Sequence, residues 1–190
     1  KMLTAAIFSI VGLIYCLVVL GLIVEQGRTT MDGWTRKHGK LVANGHTVVL
    51  GWTDKTLFLL GELAEMLADS EWRGGTLVVL GELPAIEMRE EVGITYPNWD
   101  RMYPRVKLVL RQGKPYERED LNKIALHAAR HIIVLGWGGR PGLADSHTIT
   151  TCCAMRCLPQ KVPRSTLVIA EVQLEQNVPI VRQVAGLVDH

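Results

Sequence analysis

Five short apolar runs set the fold open to most of this chain: HTVVLG (46–51), TLVVLGE (76–82), VKLVL (106–110), HIIVLG (131–136) and TLVIAEV (166–172). Each is rich in Val, Ile and Leu and bounded by turn residues. Strands that are apolar on both faces need cover on both faces, as in a parallel sheet flanked by helices. The intervals have helical spacing. Leu57, Leu60, Ala64, Leu67 and Ala68 share one face, as do Leu121, Ile124, Ala125 and Ala128. This alternation predicts an α/β fold, a Rossmann-like doubly wound parallel sheet, over residues 45–190. The echo between HTVVLGW (46–52) and HIIVLGW (131–137) predicts two equivalent strand-to-turn corners at the carboxyl edge of that sheet.

The chain before the sheet follows a different rule. Leu3 to Val24 carries no charged residue. A helix of that length spans about 33 Å, enough for a bilayer core. A signal peptide would have a shorter apolar region and a small-residue cleavage site, and VEQGRTTMDGW offers none. The reading is therefore a transmembrane helix over 1–24, a polar linker over 25–44 and a regulatory domain over 45–190. Arg28, Arg36, Lys37 and Lys40 follow the span and place the domain on the cytosolic side of an integral membrane protein lying in lipid. Cys152, Cys153 and Cys157 suit a reducing compartment. A net charge of +2 gives no electrostatic case for nucleic acid as a partner. Lys1 precedes Met2 and the apolar run begins at once, which reads as a piece of a longer protein.

The first corner, Gly51-Trp52-Thr53-Asp54-Lys55-Thr56, keeps only the first glycine of a dinucleotide turn. Thr53 puts a branched side chain where a phosphate would approach, and Asp54 adds a carboxylate. Two like charges 4 Å apart repel by roughly 4 kcal/mol at an effective dielectric of 20. Lys55 or a cation offsets this, and the helix start still offers N–H groups to an anion. Glu82, after the second run, stands where an acid reaches ribose hydroxyls, though farther along the chain than usual. The alternative is that Thr53 or Asp54 caps the helix and Glu82 is merely solvated.

The segments NGHTVVLGWTDKTL (44–57), TLVVLGE (76–82), LRQGKPYEREDLNKIALHAARHIIVLG (110–136) and LVIAEVQLEQNVPIVRQVAG (167–186) resemble the Castor/Pollux ion-channel family. These are plant and microbial relatives of channels with RCK regulatory domains. The Gly51-Trp52-Thr53-Asp54-Lys55 corner and the Arg111, Gly113, Pro115 spacing carry the likeness. The resemblance implies a ligand-gated cation channel, conducting potassium or calcium, built as a homotetramer of identical subunits whose RCK domains form a gating ring. It implies calcium as regulator, with NAD and ATP ranking after it, and Arg111 and Asp145 as ligand-responsive residues. It makes Leu3–Val24 the inner pore helix, 25–44 the force-transmitting linker, and Gly12 and Gly21 either hinges or close-packing positions. A plant-like protein of this kind would sit in the nuclear envelope. Gly136 to His147 departs from the family's acidic stretch there, with Asp145 taking over part of its function, and no filter such as TVGYG occurs.

Other constellations favour plainer readings. His147, Cys152, Cys153 and Cys157 lack a CxxC pair and read as small buried thiols instead of a zinc site. Glu87, Glu90 and Glu91 read as a solvated helix face, and Tyr96, Trp99 and Tyr103 as loop packing. No Ser-His-Asp, nucleophile-elbow or Walker pattern occurs, so the chain reads as a non-enzyme. The competing readings are a single-span membrane-anchored NAD(P)-binding protein and a non-conducting assembly module.

Overall fold

The computed structural model describes residues 12–21, 41, 43–69 and 74–186. The chain forms two units, Lys1–Gly39 and Lys40–His190. In the first, residues 12–21 are helical with mostly exposed side chains, Leu13, Leu17 and Leu20 among them. The rest of the expected Leu3–Val24 helix and nearly all of the 25–44 linker lie outside the described residues. Among the described residues no helix is long and apolar enough to cross a membrane.

The second unit is a five-stranded parallel sheet in the order β3-β2-β1-β4-β5. Its strands are β1 (Thr47–Leu50), β2 (Gly75–Gly81), β3 (Val106–Gln112), β4 (His131–Val134) and β5 (Leu167–Ala170). All five follow the apolar runs. The helices are α1 (Asp54–Ala68), α2 (Ala85–Thr95), α3 (Trp99–Met102), α4 (Arg118–Lys123), α5 (Pro141–Arg156) and α6 (Val178–Ala185).

Strand parity divides the core. Val48, Leu50, Val78, Leu80, Ile132 and Val134 face one cluster, closed by Leu121, Leu126, Cys152, Met155 and Val181. Val49, Leu77, Val79 and Ile133 face the other, closed by Leu60, Ala64, Leu67, Met88 and Trp99. Burying each such aliphatic side chain contributes about 1.5–3 kcal/mol, so one-residue register errors are strongly disfavoured. In the second cluster Trp99 meets Tyr96 edge-on at 5.6 Å and Tyr103 at 4.9 Å, so the three rings pack into the core, with Trp99 opening α3 instead of lying in a loop.

Three further sequence expectations need correction. The face Leu121–Ala128 is not one helix. α4 stops at Lys123, Ala125 takes a left-handed φ of 51°, and a short 3-10 turn covers Leu126–Ala128. The break turns Leu126 and Ala129 into the core, and the Ala128 carbonyl accepts the Gly45 N–H at 2.8 Å. Of the three cysteines on or after α5, only Cys152 is buried; Cys153 and Cys157 are exposed. The two HxxVLGW corners are not equivalent either. Thr47, not His46, pairs with His131, so the second copy is displaced by one residue.

Candidate functional site

β1, β2 and β4 end side by side at the point where the chain order reverses, the usual ligand crevice of an open α/β sheet. Gly51 leaves β1 at φ 109°, a conformation that L side chains rarely adopt. Its N–H donates to the Leu80 carbonyl at 2.9 Å. A Cβ here would sit 3.2 Å from both the Leu135 carbonyl oxygen and Cε3 of Trp137. The Trp137 ring thus packs against the glycine over which a pyrophosphate would have to pass.

Thr53 caps α1, its N–H donating to Thr56 Oγ1 at 2.8 Å and its carbonyl accepting the Thr56 N–H at 3.0 Å. Asp54 is the exposed first residue of the helix. Lys55 reaches across the mouth to Glu171 Oε1 at 2.6 Å, while Glu171 Oε2 accepts the Gly136 N–H at 3.1 Å. Hydrogen bonding and charge from Glu171 push the Lys55 pKa up.

An open cleft of about 180 Å³ remains, lined by Gly51, Trp52, Glu82, Leu83, Pro115 and Trp137. The Trp52 indole N–H donates to Glu91 Oε2 at 3.0 Å, fixing that ring as one wall. Trp137 stacks on His147 with ring centroids 4.6 Å apart, and Tyr116 lies 6.4 Å from both. Burial, then the nearby Glu82 carboxylate, pushes the Tyr116 phenol up.

The structure therefore brings Gly51 and Glu82 into one cleft, with Thr53, Asp54 and Lys55 beside it. Arg111 and Asp145 do not line the cleft. Arg111 is half-buried on β3 opposite Leu80, and burial lowers its pKa. Asp145 is 1 % exposed on α5. Its Oδ1 accepts the Gln173 N–H at 2.7 Å, and its Oδ2 accepts the Leu174 N–H at 3.0 Å and Asn177 Nδ2 at 2.8 Å. Burial alone would raise its pKa, but these three donors outweigh burial and lower it. Gly12 and Gly21 have nothing within 4 Å of a Cβ built on them.

Sequence reasoning passed over Glu171 and Tyr116, and used Pro115 only as a mark of the family likeness. The available signal was positional: Glu171 follows an apolar run just as Glu82 does. Among the described residues no group of three His, Cys, Asp or Glu side chains is placed to hold a metal ion. The Asp145 carboxylate, the acid the resemblance singles out, is already engaged by three donors.

The sheet and its flanking helices share the fold of solved RCK domains. The chain superposes on the crystal structure of the GsuK RCK domain with a TM-score of 0.52 at 22% identity, covering 83% of this chain and 29% of that one. On the human SLO3 gating ring the TM-score is 0.55 at 17% identity, covering 80% and 26%. The chain is similar along nearly its whole length to plant Castor/Pollux ion channels. It is 27% identical to the ion channel CASTOR of Lotus japonicus over 184 residues, 97% of this chain and 21% of that protein. It is 27% identical to a probable ion channel POLLUX of Oryza sativa subsp. japonica, covering 92% and 17%. The probable ion channel POLLUX of Arabidopsis thaliana is 29% identical, covering 92% and 20%. The chain thus spans about a fifth of the length of these curated relatives. No family model matches it.

Proposed function

We propose that this chain is the first regulatory lobe, with its preceding pore helix, of a ligand-gated cation channel of the Castor/Pollux type. One observation carries the reading. A 184-residue match to an ion channel must include most of the uncharged Leu3–Val24 segment as well as the sheet. In this reading Leu3–Val24 lies in lipid as the inner helix, 25–44 is the linker, and the lobe faces the cytosol. Four identical subunits form a gating ring. A ligand with different affinities for the closed and open rings shifts the pore equilibrium through the covalent linker. Calcium remains the regulator implied by the resemblance, although the described carboxylates assemble no site for it. A membrane-anchored NAD(P)-binding role is less well supported, because the Trp137 ring lies against Gly51.

The test is a bilayer recording of the full-length protein, cloned with the transcript upstream of Lys1. The expected result is a cation current, preceded in sequence by a filter-like loop, that responds to ligand on the side bearing the lobe. A full-length protein with no second hydrophobic span and no current would refute the channel reading.

A further inference from the structure

We propose that the corner cleft binds a small organic cation, an ammonium or quaternary ammonium compound, held between Trp52, Trp137 and Glu82. The cleft's walls suit that charge. Trp52, Trp137 and Glu82 all line a space of about 180 Å³, and the Glu82 side chain also accepts a hydrogen bond from the Tyr116 hydroxyl. Indoles are the best aromatic partners for a cation, whose attraction to the ring is electrostatic. Glu91 accepts the Trp52 N–H at 3.0 Å, which orients that ring and adds negative potential beside it. The neighbouring lysines are already engaged: Lys55 with Glu171 at 2.6 Å and Lys114 with Glu117 at 2.9 Å.

The rim shows the same preference within the protein. The Lys114 ammonium stands over the Tyr116 ring, 5.9 Å from its centroid. A phosphate has the opposite sign for this cleft, and the Trp137 ring already occupies its approach to Gly51. The volume lies below the roughly 300–1,000 Å³ of pockets for drug-sized ligands. It suits a compact head group and not a dinucleotide.

Choline chloride is the probe, titrated into the full chain in detergent against sodium chloride of matched ionic strength, with tryptophan fluorescence as the readout. The expected result is a saturable change specific to choline. Glu82→Gln and Trp52→Leu each weaken the affinity about tenfold, and Lys114→Ala strengthens it by clearing the rim. Glu82 is exposed, so its variant keeps the thermal unfolding of the parent. A response no larger than that to sodium chloride overturns the proposal, as does one unchanged in Glu82→Gln. Saturation by ATP or NADH in place of choline would reassign the cleft to nucleotides. The inference deepens the regulatory reading and rests on it only for the consequence of binding. Absent currents would leave the titration standing, and a silent titration would leave the recordings standing.

Discussion

Asp145→Asn separates a calcium-binding acid from a structural one. The side chain is isosteric, so the change is electrostatic. If the remaining carbonyl oxygen takes the Oδ2 position, it keeps the Leu174 N–H and Asn177 Nδ2 as neutral partners. The new amide group then opposes the Gln173 N–H, now bonded at 2.7 Å. A hydrogen bond to a charged group is worth about 1.5–3 kcal/mol, and neutral bonds are roughly half as strong. Losing one such bond and weakening two would cost more than this in a dry site. Gln173 is exposed, however, and its N–H recovers water. The expected net loss is therefore about 2–4 kcal/mol. At about 2–4 °C per kcal/mol for a domain of this size, Tm falls by roughly 9 °C. The assay is thermal unfolding by circular dichroism in chelator, repeated with calcium. The acid limb adds a second check. Asp145 has a depressed folded pKa, so its stabilisation is present above the unfolded carboxylate value of about 4. It is lost as pH falls from there through the folded pKa. The variant lacks that step. Unchanged stability in chelator, with a calcium-induced shift present in the parent and absent in the variant, would refute the structural assignment.

Gly61→Ala should destabilise by about 1–3 kcal/mol despite the helix propensity of alanine. Its methyl collides with the Tyr96 hydroxyl, which donates to the Leu57 carbonyl at 3.0 Å. In a Tyr96→Phe background most of that cost should vanish, and denaturant midpoints of the double-mutant cycle would show it. Iodoacetamide should label Cys153 and Cys157 in the folded chain but Cys152 only on unfolding, as read by peptide mass. Burial, with Cys153 nearby, pushes the Cys152 thiol up to about 11. Burial lowers the pKa of His46, whose Nε2 lies 3.0 Å from the Ile124 carbonyl, and burial then Arg130 lower that of His131. Both histidines resist protonation when folded, so stability is full above the unfolded value of about 6.5 and falls below it. His46→Phe should flatten that part of the pH–Tm profile.

The strands were the most legible part of the fold, because a run such as Val48-Val49-Leu50 leaves no solvent face and satisfies only a covered sheet. The carboxyl-edge corner was legible for the same reason. A glycine after a buried strand has few other uses, and Gly51 adopts a φ of 109° that L side chains rarely take. The Leu121–Ala128 helix misled because spacing alone cannot show where a helix must end for the next strand to begin. Ala125 takes the left-handed conformation with no local signal such as glycine to announce it. The thiols misled because a helix next to a sheet buries one stripe only, and neighbours such as Cys152 and Cys153 fall on different sides of its edge. The partners of Asp145 lie beyond β5, so its role depends on long-range packing.

The two Gly-Trp pairs show how one residue of register changes chemistry. Had the repeat aligned in the sheet, both tryptophans would have left their strands with the same parity. Thr47 pairs with His131 instead, so the second pair emerges a residue later. Trp52 consequently packs with the cluster beneath α1 and α2 and is tied to Glu91. Trp137 stacks on His147 of α5 and folds back against Gly51. The first tryptophan becomes a wall and the second covers the phosphate approach. Where a dinucleotide fold would hold a phosphate, this sheet edge carries a cleft lined by two tryptophans and Glu82.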